Sequence, residues 1–538
     1  MASSSTRDGR NRADWGELRY PKSDPGRASH TNRVKEVAAM KDAILGIDIG
    51  TSSVKVIAFD LAGAEVASAG QSYPLLTPEP GWVEQDPEGV WQALVLALKD
   101  IGAQTEGHRI LALAIAAQAG SIIATDLAGD PVYPMITWLD TRSQDLTREW
   151  QADGTAATIR RLSGWHPFAG LPLPSIGWLR RHRPDVHAAA RRYLGPADFA
   201  IHRLTGRFAT DLSAASEILL VDIRTGEWSP ALCEIGGVDA SRQSEIGWAG
   251  RRVGALTPEI ARLTGLAAGT PVIAGGNDQP CAGLGMGMTA PGKVMLSTGT
   301  AWVLMSVVET DTVAGVPEWV NLYYHAVPGQ RLGGQLVGGF GATIDWWVKQ
   351  SFAAEGADAQ DLAAHYPALN AAAAASPAGS RGLLFLSLSG PSQIPNAQPG
   401  GGFYGLELLH TRADMSRAVL EGCAFEVRWA LDELRAVNVP VDELWLAGGA
   451  NRSPVWSQIL ADVCAIPILV AADTDWAAVG AAALAAWGIG AFASLDQAIT
   501  ALQPTHRRLE PDPERSRLYA EQLQLYQRLS GAIQRART

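Results

Sequence analysis

Residues 44–59, ILGIDIGTSSVKVIAF, constrain the fold more than any other part of the chain. Ile44, Leu45, Ile47 and Ile49 have the makings of a buried strand, and Val54, Val56, Ile57 and Phe59 of a second one. Gly50, Thr51, Ser52 and Ser53 turn the chain between them, and Asp48 interrupts the first strand. A carboxylate within an apolar strand costs free energy unless something pairs with it. The hairpin therefore requires a partner for Asp48, which the rest of the chain has to identify.

The turn DLAG at 60–63 and a strand over 64–69 extend this hairpin into an antiparallel meander. A helix over 87–101, a strand over 110–116 and another over 122–126 follow. The opening shape returns at 294–307, VMLSTGTAWVLMSV, where Ser297-Thr298-Gly299-Thr300 aligns with Asp48-Ile49-Gly50-Thr51. Two domains that begin with the same hairpin would set their Gly-Thr turns facing each other across a cleft. Between them, PVIAGGNDQPCAGLGMG (271–287) predicts a strand, a tight exit at Gly275-Gly276, and a helix capped by Asn277 or Asp278. A domain boundary is expected near 290, giving domains over 41–290 and 291–538. A later strand, turn and helix occupy 442–464 around Gly448-Gly449, and 512–538 predicts a packed terminal helix. Strands alternating with helices over such a length predict an α/β fold.

Composition narrows the function. A chain of 538 residues exceeds a single core. A net charge of −11 argues against nucleic acid as partner. Cys233, Cys281, Cys423 and Cys464 are widely spaced with no C-x-x-C pair, which fits reduced thiols in a cytoplasmic protein. Residues 1–40 hold eight Lys or Arg and five Asp or Glu with no apolar run, so a disordered extension is expected, with Met40 as a functional start. The uncharged run 477–495 approaches membrane-spanning length. Its Ala and Gly content, and Gly488 and Gly490, predict instead a closely packed helix ending near Trp487, with no membrane partner.

No G-x-S-x-G, H-E-x-x-H or G-x-x-x-x-G-K-[ST] motif occurs, which sets aside several common chemistries. Three glycine turns and two isolated carboxylates remain. Gly-Thr turns offer backbone amides and a hydroxyl for phosphate oxygens. Gly448-Gly449 lets a flat ring approach the backbone. Asp48 suits Mg²⁺ held through water beside a polyphosphate, and Asp278 suits proton abstraction from an attacking hydroxyl. Taken singly, each also has a bland role: Asp278 as a helix cap, Asp48 as a turn acceptor, the glycine pair as a loop.

With these pieces in chain order, the sequence resembles the FGGY carbohydrate kinases, on the xylulose kinase-like branch, over nearly all of 43–505. The resemblance rests on IDIGTSSVK (47–55), GWVEQDPEGVW (81–91), ITWLDTRS (136–143), HRLTGRFATDLSAAS (202–216), TGLAAGTPVIAGGNDQ (264–279), STGTAW (297–302), TRADMSRAVLEGCAF (411–425) and LAGGANRSPVWSQILADV (446–463). It implies two actin/hexokinase-like (ribonuclease H-like) domains around a cleft, ATP and Mg²⁺ as cofactors, and a small-molecule sugar as acceptor. It also implies roles: Asp278 as general base, Asp48 as the Mg²⁺-holding acid, Gly50, Thr51, Ser52, Gly299 and Thr300 at the phosphates. Gly448, Gly449, Ala450 and Asn451 would lie on the adenosine side, with Arg417 and Glu421 on the neighbouring helix, and a homodimer is one option it raises.

The departures gather on the sugar side. Gln118, Ala119 and Gly120 stand where xylulose kinases usually carry Gln-Met-His, Ser175 replaces a common lysine, and 391–395 (PSQIP) lacks the usual Glu-Arg-Thr-Pro. ITWLDTRS is also similar to gluconate kinases. The expected acceptor is a ketopentose such as D-xylulose, with D-ribulose, gluconate or erythritol as alternatives, or a non-catalytic sugar- or nucleotide-binding protein on the same fold.

Overall fold

The structure, a computed structural model, describes residues 40–299, 302–353, 362–389 and 400–537. Thr300, the segment 391–395 and the extension before Met40 lie outside the described residues.

Two sheets organise the chain. The first holds β1 (Lys41–Ile49), β2 (Ser53–Asp60), β3 (Glu65–Ser72), β4 (His108–Ala117), β5 (Arg252–Ala255) and β6 (Pro271–Asn277), in the order β5-β6-β4-β1-β2-β3. β1, β2 and β3 form the expected antiparallel meander, whereas β4 runs parallel to β1, and β6 parallel to β4. The second sheet holds β7 (Gly292–Thr298), β8 (Trp302–Val308), β9 (Asn321–Tyr324), β10 (Arg331–Gly338), β11 (Val441–Gly448), β12 (Ile468–Val470) and β13 (Arg507–Leu509). Its order is β9-β10-β8-β7-β11-β12-β13. β7, β8 and β10 again form a meander, β11 and β12 again continue in parallel, and an antiparallel strand again closes the edge. Apart from β9, the second sheet repeats the connectivity of the first. The repeated hairpin in the sequence thus belongs to a repeated sheet.

Each sheet buries a face under helices with apolar residues at helical spacing. Helix α1 (Pro87–Gln104) starts where the Asp86 side chain accepts from Glu88 N, and it buries Val90, Leu94, Leu98 and Ile101. It shares a core with α2 (Pro196–Thr205), while α3 (Leu212–Glu217) lies nearby, capped by Asp211. α4 (Asp278–Gly285) leaves the end of β6 with Asn277 as its cap, the side chain accepting from Gln279 N at 3.0 Å. The second sheet is covered by α5 (Arg412–Ala436), α6 (Pro454–Cys464) and α8 (Pro513–Arg537).

Helix α7 (Trp476–Gly488) is the exception to chain order. Its alanines, with Leu484, pack on Ile44, Ala112, Ala114 and Ala116 of the first sheet. The backbones meet almost directly. A Cβ on Gly46 would lie 1.9 Å from Ala478 O, and one on Gly480 would lie 1.9 Å from Cys281 O of α4. Only residues without side chains permit that approach, so the small-residue run is a packing surface. At 13 residues α7 spans about 20 Å, well short of a bilayer core. No helix among the described residues is long and apolar enough to cross a membrane. The crossing of α4 over α7 brings the N-termini of both helices towards the end of β1, where Asp48 stands.

Candidate active site

Asp48 and Asp278 meet at that crossing, together with a third acid, Asp475, which caps α7 by accepting from Ala478 N. Asp48 sits in a buried strand, and its Oδ1 has no hydrogen-bond partner. Burial first, then the charges of Asp475 and Asp278, raise its pKa well above the carboxylate range, against a smaller opposing pull from Lys55. Lys55 lies across the β1–β2 ladder from Asp48, and its Nζ is 3.3 Å from Asp475 Oδ2. Asp278 opens α4, with Oδ1 accepting from Gln279 N at 2.7 Å. Burial, and secondarily Asp475, push its pKa up to about 7.

Among the described residues no group of three or more His, Cys, Asp or Glu could hold a metal by itself. Asp48 offers one orphaned carboxylate oxygen in an acidic setting. That fits Mg²⁺, which takes one or two carboxylates and completes its shell with water and phosphate oxygens.

The Gly50–Ser52 turn is tied back by its carbonyls. Gly50 O accepts from Tyr73 Oη at 2.6 Å, Thr51 O from Gln85 Nε2 at 2.7 Å, and Ser52 O from Tyr73 N at 3.1 Å. Gln85 Oε1 in turn accepts from Gln118 Nε2 at 2.9 Å, and Gln118 Oε1 from Ser121 Oγ at 3.3 Å. Trp138 closes the circuit: its N donates to Ser121 Oγ, and its Nε1 donates to Thr51 Oγ1 at 3.0 Å. The first Gly-Thr turn and the 118–121 loop are one hydrogen-bonded unit. Shortly after Trp138 in the chain comes a buried ion-pair cluster, Arg142 with Asp140 and Glu84, against the Trp82 ring.

On the other sheet, Thr298 Oγ1 donates to Ala447 O at 2.6 Å and accepts from Ala450 N at 3.0 Å, joining the second Gly-Thr turn to the 448–451 loop. Gly448 has φ 86° and ψ −154°, and a Cβ there would sit 2.3 Å from Thr298 O. Gly299, Gly449 and Ala450 line a cavity of about 400 Å³ walled by Trp302, Ile344, Tyr366 and Trp456. Asn451 turns away, donating to Ala471 O at 3.1 Å. Arg417 and Glu421 pair at 2.7 Å in a buried network with Tyr519 of α8, apart from that cavity's lining.

Gln118, Ala119 and Gly120 line a second, narrow recess of about 20 Å³, together with Asp198, Glu217 and Asn277. Glu217, which ends α3, accepts from Asn277 Nδ2. Burial, then the Asp278 charge, raise its pKa well above the usual range. Ser175 is buried in the helix Pro172–His182.

Sequence reasoning missed Asp475, Glu217, Gln85, Trp138 and Thr298. Asp475 had a local signal, an acid one residue before a helical run. Gln85 and Trp138 lie in motifs quoted for the resemblance, but nothing local tells that they bridge to Thr51. Glu217 ends an apparently ordinary helix, and only the tertiary fold brings it within reach of the Asp278 charge.

The chain is similar to known carbohydrate kinases. A model of the FGGY family of carbohydrate kinases, N-terminal domain, matches residues 43–285, and one of the C-terminal domain matches residues 294–489. A xylulose kinase of Escherichia coli K12 is 30% identical over 490 residues, covering 90% of this chain and 98% of the relative. A gluconokinase of Bacillus subtilis is 26% identical over 506 residues, covering 92% and 97% respectively. The crystal structure of xylulose kinase from Rhodospirillum rubrum superimposes with a TM-score of 0.84 at 29% identity, covering 91% of this chain and 99% of that one.

Proposed function

Because the chain belongs to the FGGY family of carbohydrate kinases, we propose that it transfers the γ-phosphate of ATP to a hydroxyl of a ketopentose such as D-xylulose, with Asp278 as the general base. One observation carries the proposal. Asp278, at the end of β6, is within electrostatic reach of Asp48, at the end of β1, beside a Gly-Thr turn. Two acids so placed divide the labour of phosphoryl transfer, one at the metal–phosphate side and one at the acceptor.

The adenosine part would occupy the 400 Å³ cavity, within the range of small-molecule sites. Gly448 and Gly449 give it close access to the backbone. Gly299 and Thr300 from one sheet, and Gly50, Thr51 and Ser52 from the other, would hold the phosphates. With its carbonyls tied back and Gly50 N donating to Ser53 O, the first turn would offer the Thr51 and Ser52 amides to the anion. Asp48 would hold Mg²⁺ through its orphaned Oδ1, and the ion, when bound, neutralises charge on the transferring phosphate. Lys55 adds a cation beside the same acids.

Asp278 would accept the acceptor hydroxyl's proton as that oxygen attacks. A pKa near 7 suits this task, since a base poised near the working pH combines sufficient ionisation with driving force. Gln118, held by Gln85 and Ser121, would orient the sugar, with Ala119 and Gly120 beside it. Xylulose kinases among the relatives support a ketopentose, and the test is direct. ADP release with Mg-ATP is measured across D-xylulose, D-ribulose, glycerol, erythritol and D-gluconate, with the phosphorylated product identified by ³¹P NMR. D-xylulose or D-ribulose should stimulate most. Release that no sugar stimulates would refute the kinase reading.

A further inference from the structure

Glu217 has no part in the phosphoryl-transfer scheme, yet it occupies an unusual place. It is 8% exposed, it lines the recess behind Gln118 and Gly120, and Asn277 Nδ2 donates to its Oε1. No hydrogen bond to its Oε2 is found among the described residues. Glu217 as a whole is nearly buried, and it lines a recess one residue away from the general base with one carboxyl oxygen left for a ligand group. The recess has room for about one water-sized group, about 20 Å³. Its other polar groups are Gln118, Asn277, Ser121 and the carboxyl of Asp198. Among the described residues no Arg, Lys or His lines it.

Resting on the carbohydrate-kinase reading, we propose that Glu217 is the specificity-determining residue of the acceptor site: its Oε2 hydrogen-bonds a terminal hydroxyl of a neutral sugar or polyol, and the site rejects sugar acids. The recess admits a hydroxyl but offers no counter-charge to a carboxylate. A sugar acid placed there would bury an anion where no described cation lines the recess, and desolvation without a counter-charge makes that unfavourable. Burial holds the Asp198 carboxyl near 7 and the Glu217 carboxyl higher than usual, which marks a recess already short of positive charge. Ala119 and Gly120 bring no polar side chain, so recognition of the substrate's end falls to Glu217 with the recess's other polar groups. The chemistry selects a class: acceptors with a free hydroxyl at the end away from the phosphorylated position.

The test measures acceptor affinity by calorimetry on the full-length protein with Mg²⁺ and a non-hydrolysable ATP analogue. D-xylulose, D-ribulose, xylitol and D-gluconate are the probes, against wild type, Glu217→Gln and Glu217→Ala. Wild type should bind at least one neutral probe and bind gluconate about 100-fold more weakly or not at all. Glu217→Ala should lose about 10-fold or more in affinity for the neutral probe, as expected for a hydrogen bond to a buried carboxyl. Glu217→Gln, which keeps an acceptor oxygen, should recover part of that loss. In turnover assays the change should fall on the sugar KM, with the KM for ATP unmoved. A protein merely destabilised at this position would lose both. Preference for gluconate, or unchanged neutral-sugar affinity in Glu217→Ala, overturns this assignment while leaving the kinase intact. Binding of none of the four probes overturns both.

Discussion

The proton-accepting role of Asp278 has a pH signature that a neighbour controls. Burial is the main reason its pKa rises to about 7, and Asp475 is the charge that lifts it further. With a midpoint near 7, about one-tenth of the base is ionised at pH 6 and about nine-tenths at pH 8, so kcat/KM for the sugar should rise about tenfold across that range. Asp475→Asn removes the lifting charge and retains the α7 cap, because Asn serves that position as well as Asp. It also releases Lys55 from its 3.3 Å ion pair, freeing that cation to act on Asp48. One unit charge in such a cleft is worth about 1–4 kcal/mol between water-like and protein-like screening. The cleft is partly open, so the lower end applies, and the midpoint should fall by about one pH unit. It should stay well above the free-carboxylate value, because burial remains. Relative to its own plateau, the variant at pH 6 should then be about fivefold more active than wild type. The assay is kcat/KM for the best sugar from pH 5 to 9 with Mg-ATP saturating. A wild-type profile without an ionisation in that range, or an Asp475→Asn midpoint that stays or rises, would refute the reasoning.

Other expectations follow from the same contacts. Asp278 and Asp198 hold their protons to about pH 7, and Glu217 and Asp48 higher than usual, so the folded state binds more protons than the unfolded chain near neutrality. Stability is then fully present below the unfolded carboxylate range and lost as pH rises through the folded midpoints. The ligand-free protein should therefore melt at a lower temperature at pH 8.5 than at pH 7.5, a window above the ordinary histidine range; an increase over that window would contradict these directions. Gly448→Ala should raise the KM for ATP about tenfold or more, since its Cβ would lie 2.3 Å from Thr298 O at a positive φ; unchanged nucleotide titration would show that the loop does not contact ATP. Tyr519→Phe removes the hydroxyl that accepts from Arg417 at 2.8 Å and donates to Glu421 at 2.6 Å. It should cost about 1–3 kcal/mol in denaturant unfolding with kcat unchanged, and a matching loss of kcat would place that network in catalysis.

What the sequence makes legible is set by range. Strand alternation, turn residues and caps act locally, so β1, β2, β6, α1 and the Asn277 cap stand close to where local signals put them. The repeated hairpin is also legible, because equivalent sheets need equivalent residues at equivalent places. α7 is half-legible. Its small residues announce close packing, but which sheet they pack on depends on Gly46, more than 400 residues earlier in the chain. The acids at the crossing follow from that packing: Asp475 is a cap by sequence and a neighbour of Asp48 and Asp278 only by tertiary structure. The Thr51–Gln85–Gln118–Ser121–Trp138 circuit and the recess at Glu217 joins loops that share no local pattern. Asn451 shows the converse, a residue within a legible motif whose amide is spent on Ala471 O.

The most direct test of the central claim compares wild type with Asp278→Asn under Mg-ATP and the best neutral sugar. Asparagine preserves shape and helix capping while removing the base, so nucleotide and sugar affinities should stay within about threefold while kcat falls by about 10²–10⁴-fold. Sugar-dependent ADP release that continues at the wild-type rate would show that the acceptor's proton goes elsewhere.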